Sequence, residues 1–104
     1  TKVIKKTGFY IKKNNLKVII FGSGNYSLEL LNKLKISQNI LGYIDSNKLY
    51  HGSIRNGYKV YSINQLKKLD FDRVIIASNK YKFEIYSILL KKRVDRNKII
   101  LFKW

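Results

Sequence analysis

Gly22-Ser23-Gly24 is the stretch whose residue types and spacing could do chemistry, lying between the apolar run Val18-Ile19-Ile20-Phe21 and the segment Asn25-Tyr26-Ser27-Leu28. A strand that breaks at two glycines and passes into a helix is built to hold phosphate. The first glycine permits the tight bend, the second lets an anion approach the backbone, and the helix's N–H groups and positive dipole end attract it. The backbone amides of Ser23, Gly24, Asn25 and Tyr26 are the expected cradle, with the Ser23 hydroxyl as an extra donor. Asp45 closes the next apolar run, Ile40 to Ile44, about 20 residues on, where a carboxylate accepts hydrogen bonds from ribose hydroxyls and disfavours a 2′-phosphate. Ser78 and Asn79 follow a further apolar run, Val74 to Ala77, and are expected either to reach a ribose or base from the other side or to cap the next helix.

Other residues read more plainly. His51 is the only histidine, and with no paired carboxylate or nucleophile at a recognisable spacing it reads as a solvated loop residue. Tyr26 and Tyr81 could flank a ring, but Tyr81 also belongs to the stripe Tyr81, Ile85, Ile88 and Leu89 and is assigned to the core. Asp70 and Asp72 are expected to pair with neighbouring lysines. No catalytic triad, zinc pattern or lysine-containing phosphate loop is present, so catalysis by this chain alone is not expected.

The elements that must position these residues follow from periodicity. Val18–Phe21, Ile40–Ile44, Val74–Ala77 and Ile99–Phe102 are apolar and do not alternate with polar residues, as expected of strands buried on both faces. Tyr58–Tyr61 adds a short fifth. Helical patterns run from about Asn25 to Ile36, from Ser62 with Gln65 as a capping box, and from about Lys80 to Lys92. Ser27, Leu30, Leu31 and Leu34 form the inner stripe of the first, with Ser27 where glycine or alanine would pack closest. Strand alternating with helix predicts an α/β fold, a small open parallel sheet of four or five strands with helices on both faces, Rossmann-like, with its crevice beyond the strands' carboxyl ends. Residues 1–15, basic and without an acidic side chain, read as a linker or an appended edge element. Residues 16–104 read as the domain.

Composition sets the remaining bounds. There is no cysteine, which excludes disulfides and thiolate metal sites. No run approaches the roughly 18 apolar residues of a membrane span and no leader pattern opens the chain, so the expected compartment is the cytoplasm. The absence of methionine and the start at Thr1 suggest an excised piece of a longer protein. A formal net charge of +16 invites a nucleic-acid reading. Lysine far outnumbers arginine, the better instrument for bidentate contacts, and it accompanies abundant Asn, Ile and Tyr, as AT-rich codon usage produces; nucleic acid is not the expected partner. Sorted by topology, Lys17, Arg73 and Lys98 begin strands, while Lys33, Lys35, Lys67, Lys68, Lys91, Lys92, Arg93 and Arg96 lie at or beyond helix ends. Their shared end complements helix dipoles and could also meet an anionic membrane or an acidic partner.

With these residues in place, the chain resembles the small Rossmann-type nucleotide-binding domains accompanying enzymes of bacterial surface-polysaccharide and nucleotide-sugar metabolism. These include the CoA-binding-like domain preceding membrane-associated sugar-nucleotide dehydratases and the N-terminal domain of sugar-nucleotide acetyltransferases. The resemblance covers residues 16–102 and rests on Val18 to Gly24, Gly42 to Asn47, Gly57 to Val60, Asp72 to Ser78, Glu84 to Tyr86, and Leu89 to Leu101; Lys59 stands where such domains commonly have proline. It implies a non-catalytic module that holds NAD, a nucleotide-sugar or CoA for a catalytic domain of the same polypeptide. Alternatives are the NAD-binding core of an oxidoreductase or sugar-nucleotide epimerase or dehydratase, and a basic nucleic-acid-binding domain.

Overall fold

Four successive apolar residues with no polar alternation, Val18–Phe21, form strand β1, and all four are buried because the strand is covered on both faces. The computed structural model describes residues 2–102. Around β1 lie α1 (Lys2–Lys13), α2 (Asn25–Leu34), β2 (Ile40–Ile44), β3 (Ile54–Arg55), β4 (Tyr58–Tyr61), β5 (Arg73–Ile76), α3 (Lys82–Lys91) and β6 (Ile99–Ile100). A 3₁₀ helix at Ile63–Lys68 carries the expected capping box between Ser62 and Gln65. The sheet has six strands in the order β3-β4-β2-β1-β5-β6. Among the described residues only the β3–β4 pair is antiparallel.

The expected class is therefore present, with one more strand than the four or five expected. β3 is the addition, a two-residue partner for β4 across the turn at Asn56 and Gly57. Asn-Gly between short β segments is a strong hairpin signal, and it lies inside a stretch whose polarity otherwise marks it as loop.

Successive residues of each strand serve opposite cores. Val18, Ile20, Tyr43, Val60 and Ile75 join Leu30 and Leu34 of α2 on one face. Ile19, Phe21, Ile44, Val74 and Ile76 join Leu66, Ile85 and Leu89 on the other. The β1–β5 register is continuous, Val18 to Phe21 pairing in order with Arg73 to Ile76, while β1–β2 carries a register shift between Val18 and Ile19.

Within the segment read as a basic linker or an appended edge element, Lys2–Lys13 form the helix α1. Ile4, Gly8 and Ile11, at i, i+4 and i+7, form a buried stripe within an otherwise lysine-rich helix. Ile4 and Ile11 enter the same core as Leu30 and Leu34 of α2, with Ile75 and Phe102. Gly8 permits this approach, because a Cβ there would collide with the Leu34 carbonyl oxygen at the end of α2. The α3 stripe also departs from expectation: Ile85 and Leu89 are buried, whereas Tyr81 is 54% exposed and Ile88 is 38% exposed. The expected pairing of Asp72 with a lysine is replaced by a bond from the Lys17 backbone amide to Asp72 Oδ2, 2.8 Å. Among the described residues the ion pair is Lys33 with Glu29.

Gly8→Ala is expected to push α1 away from α2 and to lower stability by about 1–3 kcal/mol, read as a lower urea midpoint at unchanged m-value.

Candidate functional site

Between β2 and β5 the chain reverses its direction across the sheet, and β1 ends at that point. Beyond the carboxyl ends of β1, β2 and β5 lies a cleft of about 720 Å³, and its lining includes Gly22, Ser23, Gly24, Asn25, Tyr26, Asp45, Ser78 and Asn79. All eight residues expected at a site are thus brought together. The cleft is completed by Lys80, Tyr81, Glu84, Ile85 and Ile88, with Phe21, Ser46 and Ala77. Glu84 belongs to a stretch that carries the resemblance without an expected site role, and Tyr81 and Ile88 fit the apolar stripe of α3, which concealed their place at the rim.

The two glycines have different reasons. Gly22 has φ +115°, and a Cβ there would lie 2.7 Å from the Ala77 carbonyl oxygen, so the chain itself demands glycine. Gly24 is under no such demand. Its φ of −80° and ψ of −171° suit any residue, and a Cβ there would meet nothing within 4 Å. It is the N-cap of α2 without a side-chain cap, and the helix offers no internal acceptor to the amides of Gly24 and Asn25.

Ser23 and Asp45 are bonded to each other. Asp45 Oδ2 accepts from the Ser23 amide at 3.0 Å and from the Ser23 hydroxyl at 2.6 Å. Ser23 is 1% exposed, and both of its donors serve the carboxylate. Asp45 Oδ1 accepts from the Asn47 amide at 2.9 Å. A carboxylate offers about four lone-pair positions, and these three bonds leave Asp45 one for an outside donor.

A short arm braces the same point. His51 Nε2 lies 2.6 Å from the Asp45 carbonyl oxygen; a carbonyl only accepts, so Nε2 carries the proton. His51 is thus half-buried and anchored, not a solvated loop residue. Arg55 Nε donates to the Ser23 carbonyl at 3.2 Å, and its guanidinium stacks 4.0 Å from the Tyr50 ring centroid. Ser27 is fully buried and its hydroxyl returns to the Gly24 carbonyl at 2.6 Å, so serine is accommodated at the small position by capping its own polarity. Ser78 Oγ accepts from the Tyr81 amide at 3.1 Å, closing the turn that leads into α3, whose N-cap Tyr81 has no side-chain cap.

The charge of the cleft is unlike that of the chain. Its ionisable lining is Asp45 and Glu84 against Lys80, with the phenols Tyr26 and Tyr81. Burial, and then the Glu29 carboxylate, raise the Tyr26 phenol above its ordinary 10.0, so it stays a neutral hydroxyl at physiological pH. Among the described residues no group of acidic and histidine side chains could hold a metal ion.

The C2185-like N-terminal family matches residues 14–100. The chain belongs to this family. No curated protein matches the chain. Among solved structures, the fold is similar to UDP-D-quinovosamine 4-dehydrogenase from Vibrio fischeri, at 26% identity and a TM-score of 0.63, covering 85% of this chain and 78% of that one. It is also similar to RSP in complex with β-NAD⁺ and operator DNA, at 17% identity and a TM-score of 0.58, covering 84% of this chain and 49% of that one. A second structure of RSP, a Rex-family repressor, gives 17% identity and a TM-score of 0.59, covering 83% and 51%. The C2185-like domain thus has a Rossmann-like fold of the nucleotide-binding type.

Asp45→Asn should lower stability by about 1.5–3 kcal/mol and Ser23→Ala by about 1 kcal/mol. In urea unfolding the double variant is expected to cost less than the sum, because both changes remove the same bond.

Proposed function

We propose that the cleft binds the diphosphate of a nucleotide-containing small molecule, NAD or a nucleotide-sugar, and that this domain is the non-catalytic holding module of a larger protein of nucleotide-sugar or surface-polysaccharide biosynthesis. The observation that carries the reading is Gly24. A glycine that its own backbone does not require, at a helix N-terminus facing open space, is accounted for by an anion that must come close. The amides of Gly24 and Asn25 and the positive end of α2 receive the phosphates. The remaining acceptor position of Asp45 takes one ribose hydroxyl, and Tyr26 and Tyr81 border the base or sugar.

The similarity to a UDP-sugar dehydrogenase supports a ligand of this class, and the RSP complex with β-NAD⁺ supports the fold that would hold it. A catalytic step is assigned to another domain of the polypeptide: Asp45 is committed to Ser23 and Asn47, and His51 is committed to the Asp45 carbonyl. Lysines concentrated away from the cleft argue against nucleic acid as its ligand. Among the described residues no helix is long and apolar enough to cross a membrane, and we assign the module to the cytoplasm.

Gly24→Asp separates the two readings of that glycine. An acidic N-cap strengthens a helix by about 0.3–1 kcal/mol, so the variant should unfold at an equal or higher urea concentration. Calorimetry against NAD⁺, NADH, UDP-sugars and CoA should meanwhile show at least about tenfold weaker binding, or 1.4 kcal/mol. Failure of the unaltered chain to bind any of the four at millimolar ligand would sink the proposal.

A further inference from the structure

α1 has two unlike faces. Ile4, Gly8 and Ile11 are buried in the core. At about 100° per residue the opposite side presents Phe9 with Lys2, Lys6 and Lys13, flanked by Lys5 and Lys12. All five lysines are exposed, and Phe9 is 65% exposed. The chain has no carboxylate before Glu29.

Helix stability does not account for this face. Lys12 and Lys13 complement the C-terminal dipole, but Lys2, Lys5 and Lys6 occupy the half where the dipole is positive, and the first turn has no acidic residue. None of the five is ion-paired among the described residues. α1 also precedes the residues matched by the C2185-like family, 14–100, so this face is additional to the shared domain.

We propose that the outward face of α1 is a peripheral contact for an anionic lipid surface, with the lysines on the headgroups and Phe9 inserted at the acyl boundary. An exposed ring ringed by cations suits a bilayer because each part finds its own layer there: the ammonium groups meet anionic headgroups while their stems and the aromatic ring meet hydrocarbon. A nucleic-acid backbone would satisfy the lysines and leave Phe9 in water. The contact is independent of the nucleotide cleft.

The test is sedimentation of the 104-residue chain with vesicles of phosphatidylserine and phosphatidylcholine, against phosphatidylcholine alone, at low and raised salt. The chain should bind the anionic vesicles and be released by salt. The triple variant Lys2→Gln, Lys5→Gln, Lys6→Gln should bind about a hundredfold more weakly, and Phe9→Ala about tenfold more weakly. Lys67→Gln, Lys68→Gln, Lys91→Gln, which removes equal charge elsewhere, should bind nearly as the parent does. Phe9→Trp in a Trp104→Phe background should shift its emission to the blue on anionic vesicles. Circular dichroism of each variant checks that it is folded. The proposal is overturned if the parent does not bind, if both lysine triples weaken binding equally, if the emission does not move, or if duplex DNA binds more tightly with the same dependence on Lys2, Lys5 and Lys6.

Discussion

The carboxylate of Asp45 is the interaction on which the cleft depends. One of its oxygens holds the Ser23 amide and hydroxyl, and the other fixes the Asn47 amide in the loop after β2. The backbone of the same residue takes His51 Nε2 on its carbonyl and gives its amide to the Tyr61 carbonyl. Four separate stretches of chain therefore converge on one side group and its peptide units. Charge-assisted hydrogen bonds of this kind are shorter and stronger than neutral ones, and in a partly buried setting they fix position as well as energy. The glycine loop is consequently held in place before any ligand arrives, a condition that lowers the entropic cost of binding.

Around that fixed point charge is distributed with a clear division of labour. Near the cleft it is sparse and mixed: Asp45 is bonded to Ser23 and Asn47, and the Lys80 ammonium lies over the Tyr81 ring. Most of the lysines lie on the outer face of α1, at helix C-termini and at the starts of strands, while Lys80 lines the cleft and Lys82 opens α3. At helix ends they oppose the negative dipole and need no partner. On α1 no such internal reason exists for the N-terminal three, which is why the same residue type carries different meaning at different places in one chain.

Much of the fold is legible in the residues because burial on both faces imposes long apolar runs, and β1, β2 and β5 were each marked by one. The glycine loop and Asp45 were legible for a related reason: a sharp strand-to-helix turn demands Gly22, and the position after a central strand is where a carboxylate can reach across. Three things were hidden. α1 was obscured because five lysines drown a stripe of only Ile4, Gly8 and Ile11, and Gly8 reads as a helix breaker until its contact with Leu34 is known. The Tyr81 and Ile88 rim was obscured because spacing along a helix locates a side but does not say whether a sheet or a crevice lies opposite. The partner of Ser23 is not legible in the sequence because a loop donor is equally suited to an outside phosphate and to an inside carboxylate; the 2.6 Å contact with Asp45 supplies it.

Both outermost strands, β3 and β6, are only two residues long. A sheet margin is normally where backbone donors and acceptors stand open to another chain, and long flat margins nucleate stacking between molecules. With the isoleucine-rich β1 and β5 shut in the middle and a hairpin bearing Arg55 at one border, the described residues present only a short template for such growth. A chain this rich in β-branched residues thereby keeps its most adhesive segments out of reach of its neighbours, a safeguard against fibrillar assembly that comes from strand order and length more than from surface polarity alone.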